Sequence, residues 1–198
     1  MLRPLFAFAV LALGLAGFAV PALAANPQVD LDTSAGKIRL ELYPDAAPKT
    51  VENFLEYVRA KYYDGTQFHR VIKGFMIQGG GFGSDFQQKP TRGPIVNEAE
   101  KSSKAGLLNV PGTIAMARTS EPNSATAQFF INVADNKFLN YRDSSVAGIG
   151  YAVFGKVIQG MDVVEKIAQT PTAAGGPFPR DVPIEHVVIK SATIVGAS

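Results

Sequence analysis

Short stretches of alternating apolar and polar residues constrain the fold of this 198-residue chain more than any other feature. The alternation is clearest over residues 28–43, where Ser34-Ala35-Gly36 inserts turn residues and so predicts a β-hairpin. Further short strands are predicted at 68–72, 75–79, 112–118, 128–133 and 151–157 and within 184–195. So many short strands are typical of a β-rich barrel or sandwich.

Helical periodicity is confined to two segments. Val51, Phe54, Leu55 and Val58 form one apolar stripe, which predicts a helix from a Thr50 N-cap to about residue 61. Asp162 begins a second short helix, with Glu165 as its capping-box partner. Residues 81–111 are polar and rich in Gly and Pro, and they predict a long loop with one short strand near 95–96.

The N-terminus has the features of a cleavable export signal. Arg3 precedes an apolar run from Leu5 to Val20, and Ala22-Leu23-Ala24 follows Pro21 as an A-x-A cleavage site. The alternative is a membrane anchor, but a run of about 16 residues falls short of the roughly 20 that a spanning helix needs. We therefore predict a signal peptide at 1–24 and one domain at 25–198, soluble after cleavage.

Composition excludes several kinds of function. The chain has no cysteine, so it has no disulfide, no thiol nucleophile and no cysteine-ligated zinc. Its two histidines, His69 and His186, form no metal-binding motif, and Gly79-Gly80-Gly81 lacks the lysine of a phosphate loop. The 19 basic and 17 acidic residues do not cluster into a nucleic-acid-binding stripe. We predict no metal, no cofactor, and neither nucleic acid nor a membrane surface as partner.

Three linked blocks of unusual composition carry the functional signal. The first is Phe68-His69-Arg70-Val71-Ile72, followed by Gly74-Phe75-Met76-Ile77-Gln78-Gly79-Gly80. The second combines residues 112–117 with Gln128-Phe129-Phe130-Ile131, and the third is residues 151–157. The chain resembles the cyclophilin family in these blocks, and the resemblance extends from about residue 28 to residue 195.

The resemblance implies a mainly β fold: a closed eight-stranded antiparallel β-barrel capped by two α-helices. It implies a peptidyl-prolyl cis-trans isomerase, which acts on unfolded or flexible proline-containing polypeptides without metal or cofactor. A monomer is expected. With the signal peptide, the resemblance also implies a periplasmic enzyme that assists the folding of exported proteins.

The chemistry of this reaction needs no nucleophile. Rotation about an amide costs about 18–20 kcal/mol because resonance is lost, although the two X-Pro isomers differ by only about 0.5–1 kcal/mol. The proline nitrogen gains a basic lone pair only as the bond twists, so a donor aimed at it stabilises the transition state selectively. The resemblance assigns Arg70 as this donor, and Gln78 as the residue that hydrogen-bonds the substrate backbone.

The resemblance assigns the proline socket to Phe75, Met76, Phe130 and Leu139. Strand alternation by itself does not place Phe75 on the same face as Gln78 unless a bulge intervenes. Ala117 and the main chain of Arg118 are expected to line the path of the peptide. The other implied substrate-binding positions are Ile72, Phe138, Tyr151 and His69, with burial as a structural histidine an equal alternative for His69.

Three residues depart from the family pattern. Phe138 stands where many cyclophilins carry a tryptophan that donates a hydrogen bond to cyclosporin, and phenylalanine has no N–H. Tyr151 replaces a histidine at the groove edge, and Arg118 replaces an asparagine. These changes leave Arg70 and the socket intact, so we expect catalysis with weak cyclosporin binding.

Two other classes of function remain open at this level. The chain is expected to be an isomerase, but a proline-peptide binding module or holdase chaperone would carry much the same groove. A secreted structural protein is a third possibility, which Arg70 and Gln78 disfavour because a structural role does not need both.

Overall fold

The computed structural model describes residues 25–196. Most of its elements belong to one antiparallel sheet of eight strands, in the order β10-β1-β2-β7-β5-β6-β4-β3, and β8 pairs with β9 in a separate hairpin. The elements in chain order are β1 (Gln28–Thr33), β2 (Gly36–Leu42), α1 (Pro48–Arg59), β3 (Arg70–Ile72), β4 (Met76–Gly79), α2 (Ala99–Lys104), β5 (Thr113–Met116), β6 (Phe129–Asn132), a 3₁₀ turn (Lys137–Leu139), β7 (Val153–Gln159), α3 (Met161–Ala168), β8 (Thr172–Gly175), β9 (Phe178–Pro183) and β10 (Ile189–Ile194).

The predicted N-terminal hairpin is confirmed as β1 and β2. Its turn is stabilised by Thr33, whose Oγ1 accepts from the backbone N–H groups of Ala35 and Gly36, both at 3.1 Å. On the outer face Arg39 Nε donates to Asp30 across the strand pair at 2.6 Å. The opposite face is apolar and fully buried, so the alternation in the sequence sets the register.

The sheet is curled but not closed, which corrects the expectation of a closed barrel. Its end strands, β3 and β10, form no ladder with each other. Ile189 instead exchanges backbone hydrogen bonds with Gly65 and Thr66, at 2.8 and 2.7 Å, and Gln67 and Val188 form an isolated bridge. Because β3 has only three residues, the chain contacts β10 through the irregular segment before it.

The predicted helix at 50–61 is present, but it begins at Pro48, so the Thr50 N-cap was wrong. Thr50 lies in the first turn, where its backbone N–H and its hydroxyl both donate to the Glu98 carboxylate at 2.8 Å. The Lys49 N–H donates to the same carboxylate at 3.2 Å. Glu98 therefore caps α1 from a distant part of the chain and attaches residues 81–111 to the domain.

The structure has more regular elements than the sequence predicted. The described residues contain three α-helices rather than two, because α2 forms inside the predicted long loop. The β8–β9 hairpin was also missed. α3 follows Gly160 and has no side-chain cap, so the predicted Asp162–Glu165 capping box was wrong. α2 is too short, at six residues, to show a helical repeat of apolar residues.

The core lies on the concave face of the curled sheet. Phe54 of α1 is at its centre, with its ring centroid 5.1 Å from Tyr63, 5.7 Å from Phe129 and 5.2 Å from Phe154. A second, smaller apolar cluster lies on the opposite face of β4, β5 and β6. Within residues 25–196, no helix is long and apolar enough to cross a membrane. The predicted signal peptide lies outside the described residues.

Candidate functional site

Strand register brings the polar motif residues to the outer face of the sheet. Arg70 of β3 pairs with Gln78 of β4, and Gln78 pairs with Phe130 of β6. Ala115 of β5 then pairs with Phe130. Because successive side chains of a strand point to opposite faces, the neighbours of these residues face the core, as Ile77 does. The sequence F-H-R-x-I thus contributes one arginine to an outward-facing row.

A depression of about 110 Å³ opens on this row. Its floor is apolar and nearly inaccessible to solvent, formed by Met76, Phe130 and Leu139. Nine of the twelve residues predicted from the sequence line it, namely Arg70, Phe75, Met76, Gln78, Ala117, Arg118, Phe130, Leu139 and Tyr151. The remaining three, His69, Ile72 and Phe138, lie outside it.

Phe75 reaches the depression without a strand bulge. It lies in the turn between β3 and β4, where its backbone N–H donates to Ile72 O at 3.1 Å. Its carbonyl accepts from Val133 N at 3.0 Å and from Asn136 Nδ2 at 2.9 Å. A turn residue is free of strand alternation, so Phe75 and Gln78 line the same depression.

Arg70 belongs to a chain of polar groups along the wall. Its Nη1 donates to Gln78 Oε1 at 3.4 Å, and Gln78 Nε2 donates to Gln128 Oε1 at 3.0 Å. On the other side, Arg70 Nε is 3.9 Å from a carboxylate oxygen of Asp181. The Arg70 side chain is 42% exposed, so its other N–H groups can reach a ligand.

Two members of this polar chain were missed by sequence reasoning. Gln128 could have been found, because it precedes Phe130 by two residues and so continues the same strand face. Asp181 had no signal in the sequence. It lies on β9 with a positive φ of 67°, which is uncommon for a residue other than glycine. Only the docking of the β8–β9 hairpin brings it to Arg70.

Arg118 and Tyr151 form the opposite rim. The Arg118 guanidinium lies over the Tyr151 ring, 4.5 Å from its centroid, and donates to the backbone carbonyls of Gly150 at 3.1 Å and Thr119 at 2.9 Å. Tyr151 meets Phe130 edge to face, with ring centroids 5.7 Å apart. The Arg118 side chain is therefore held between its own loop and the segment at residues 150–151.

His69 is buried beneath the surface, and the structure supports the structural alternative for it. Its side chain is 2% exposed and lies between Phe82 and Phe178, with ring centroids at 4.7 and 5.2 Å. Nδ1 has no hydrogen-bond partner among the described residues. Burial, together with the nearby Arg70 charge, lowers the pKa of His69 to about 4. The imidazole is therefore neutral near pH 7.

The other two residues lie beside the depression. Phe138, in the 3₁₀ turn, is 67% exposed and stacks on Phe75 with ring centroids 5.6 Å apart. Ile72 is half-buried and packs against the apolar cluster that forms the floor. Neither side chain lines the depression, so contact of Phe138 and Ile72 with a substrate stays a prediction.

An apolar floor beside an exposed guanidinium and a carboxamide suits a neutral, partly apolar ligand with a hydrogen-bond acceptor. The arrangement supplies directed N–H groups next to a water-excluding surface. Such groups stabilise charge or lone-pair density that develops during a reaction.

Comparisons with known proteins agree with this geometry. Residues 28–194 match the family model described as "Cyclophilin type peptidyl-prolyl cis-trans isomerase/CLD". The chain is 58% identical to peptidyl-prolyl cis-trans isomerase cyp18 of Streptomyces antibioticus, over 85% of this chain and 98% of that protein. It is 52% identical to peptidyl-prolyl cis-trans isomerase A of Dickeya dadantii, over 98% of this chain and 99% of that protein.

A solved structure shows the same fold. The cyclophilin-type peptidyl-prolyl cis-trans isomerase of Cryptosporidium parvum matches with a TM-score of 0.68 at 27% identity, over 87% of this chain and 99% of that one. The family match covers nearly all of the described residues and includes every residue that lines the depression. The chain belongs to the family of cyclophilin-type peptidyl-prolyl cis-trans isomerases.

Proposed function

We propose that the depression beside Arg70 is where this isomerase rotates X-Pro bonds, and that its clients are exported proteins. The observation that carries the assignment is the outward-facing row in which Arg70, Gln78 and Phe130 are register partners. It places the strongest available N–H donor next to an apolar floor. The family's substrates, proline-containing polypeptides, need both features.

In this proposal the proline ring lies on Met76, Phe130 and Leu139. The Arg70 guanidinium donates to the proline nitrogen as the bond twists, and its permanent charge makes that hydrogen bond strong. The planar ground states offer no lone pair at this nitrogen. Arg70 therefore favours the twisted state over both isomers, which is what lowers the barrier.

Gln78 has two roles in this arrangement. Its carboxamide oxygen accepts from Arg70, which orients the guanidinium, and Gln128 in turn fixes the carboxamide. The Gln78 amide is also placed to hydrogen-bond the client backbone. Because the side chain of Arg118 is already committed to its loop carbonyls, we assign the path of the peptide to the main chain of Ala117 and Arg118.

The assay that tests this function is proline-peptide isomerisation by the mature protein, with prevention of client aggregation measured in parallel. Faster isomerisation that depends on Arg70 supports the proposal. Suppression of aggregation without turnover would instead support a holdase or a proline-peptide binding module.

We also propose export to the periplasm and a monomeric enzyme there. The support for export is the basic residue, apolar run and A-x-A site at 1–24. Fractionation and N-terminal sequencing test the export, with Ala25 as the expected first residue. Retention of residues 1–24, or recovery in the cytoplasm, would contradict it. Light scattering tests the monomer.

Replacing Phe130 with alanine should weaken binding of proline peptides about 10- to 100-fold. Fully burying a phenylalanine side chain is worth about 1.5–3 kcal/mol, and about 1.4 kcal/mol corresponds to a tenfold change in affinity. NMR titration with a non-isomerisable proline peptide measures the change.

The neighbouring Phe129 provides a matched control for this variant. Phe129 and Phe130 are adjacent on β6 and both buried, but Phe129 faces the core. We therefore expect Phe129→Leu to lower the free energy of unfolding and leave affinity nearly intact, whereas Phe130→Leu should lower affinity. Equal affinities for these two leucine variants would place the proline site elsewhere.

Cyclosporin should inhibit the wild-type enzyme weakly, and Phe138→Trp should raise the affinity for the drug about two- to tenfold. A neutral hydrogen bond from the indole N–H contributes about 0.5–1.5 kcal/mol. Because position 138 is 67% exposed, water can satisfy the drug's acceptor there, which limits the gain. Calorimetric titration of both proteins tests this. Tight binding by wild type, or no gain from tryptophan, would show that position 138 does not control drug affinity.

A further inference from the structure

A second depression adjoins the first across the rim formed by Arg118 and Tyr151. Its volume is larger, at about 490 Å³, and it is shallow. Phe138 and Val146 form its apolar sides, and we call this surface the Phe138–Val146 shelf. Because the two depressions share rim residues, a peptide bound in one can extend over the other.

The shelf exposes apolar surface that folding leaves uncovered. Phe138 is 67% exposed and Val146 is 63% exposed, and they lie on the same depression. Single exposed hydrophobic residues are ordinary, but neighbouring ones beside a binding groove are typical of a contact surface.

The loop that carries Val146 is held in place by its own hydrogen bonds. Asp143 Oδ1 accepts from the Ser145 N–H at 2.9 Å, and the Ser145 hydroxyl accepts from the Gly148 N–H at 3.0 Å. Arg142 Nη2 donates to the Ala147 carbonyl at 3.0 Å. A Cβ at Gly148 would lie 2.0 Å from Asp143 Oδ1, so a larger residue there would displace the Asp143 side chain. A loop ordered before binding loses little conformational entropy when a ligand arrives.

The charges of the shelf disfavour a basic side chain. Arg118 is the charged residue of its lining, and hydrogen bonds hold its guanidinium to the carbonyls of Gly150 and Thr119. No carboxylate of the described residues lines the depression, so a lysine or arginine side chain would find a like charge there and no partner.

We propose that the Phe138–Val146 shelf binds a large apolar or aromatic side chain next to, or one residue removed from, the client's proline. An extended chain advances about 3.3 Å per residue. A chain that runs from the first depression over the shared rim therefore carries residues close to the proline onto the shelf. The inference rests on the proposed function of the first depression. It makes the enzyme selective for proline in apolar segments, which unfolded chains expose and folded chains bury.

The test compares isomerisation of short proline peptides that carry Phe, Ala or Lys at the positions flanking proline on each side. For wild type, kcat/KM should be about three- to tenfold higher with Phe than with Ala on at least one side, equivalent to about 0.7–1.4 kcal/mol. Val146→Ser should reduce that Phe/Ala ratio, and Val146→Asp should raise the rate for the Lys peptide relative to the Phe peptide.

Ile184 provides the matched control. It is 66% exposed and aliphatic, and it lies outside both depressions, so Ile184→Ser should leave the Phe/Ala ratio unchanged. A wild-type ratio near one, or equal effects of Val146→Ser and Ile184→Ser, would overturn the shelf while leaving the first depression as the site of catalysis. Failure of the proposed function of the first depression would give a different result. The Arg70→Ala variant would then isomerise every peptide of the series as fast as wild type does.

Discussion

Replacement of Arg70 by alanine is expected to lower kcat/KM for proline peptides by roughly 30- to 1,000-fold. This corresponds to about 2–4 kcal/mol, the loss typical of removing one preorganised donor from a developing charge or lone pair. The loss should appear mainly in kcat, because the donor acts on the twisted amide rather than on the planar ground states. A protease-coupled or NMR exchange assay measures it.

Two further arginine variants make this result specific. Arg70→Lys keeps a positive charge but loses the rigid fork of N–H groups, so it should recover little activity. Arg59 is exposed in the last turn of α1, outside the depression, and Arg59→Ala controls for the loss of a surface cation. All three proteins should unfold at nearly the wild-type denaturant concentration. Near-wild-type turnover in a folded Arg70→Ala protein would contradict the catalytic assignment.

Acidification should destabilise the protein through His69. The pKa of His69 is lowered from 6.5 to about 4, chiefly because burial penalises the charged imidazolium. The unfolded chain therefore binds a proton near pH 6.5 that the folded chain accepts only near pH 4. Stability consequently falls as the pH is lowered through this window. At about 1.4 kcal/mol per pH unit, the loss is about 3 kcal/mol by pH 4.

Urea unfolding of wild type and His69→Phe at pH 7, 5.5 and 4 measures this contribution. Phenylalanine keeps an aromatic ring between Phe82 and Phe178 but cannot be protonated, so the variant should lose less stability on acidification. The comparison between proteins is needed because other groups also respond to acid. Asp30 is one, since its hydrogen bond from Arg39 lowers its pKa. His186→Gln controls for removing an exposed histidine.

If the free energy of unfolding fell equally with pH in wild type and in His69→Phe, burial of His69 would not control acid stability.

Isomerase activity of His69→Phe at pH 7 gives separate information. His69 lies outside the depression and is buried, so it does not contact a ligand bound there.

The candidate site was predictable from the sequence to the extent that it follows strand alternation. Arg70, Met76, Gln78 and Phe130 lie on short strands, and a period of two places them on one face once the register is known. The family resemblance assigned these residues to one site, and the structure supplied the register. Phe75 shows the limit of the argument, since a turn residue is placed by the path of the chain rather than by alternation.

Elements held by long-range contacts could not be predicted. α2 spans six residues and carries no apolar repeat, yet it follows directly on Glu98, whose carboxylate caps α1. The two partners in this cap are 48 residues apart, so no pattern within a few residues of either one predicts the contact. The openness of the sheet has the same origin, because it depends on how the three-residue β3 meets β10.

The sequence by itself determined where the strands of the eight-stranded sheet lie, which strand faces are apolar and which family the chain resembles, because those properties depend on neighbours within a few residues. Only the tertiary structure decided that Asp181 lies beside Arg70, that His69 is buried and that Phe138 lies outside the depression beside Arg70. Each of these outcomes depends on how distant segments dock: the β8–β9 hairpin against β3, and the 3₁₀ turn against Phe75. Such contacts join residues more than 60 positions apart, where a local pattern in the sequence carries no information.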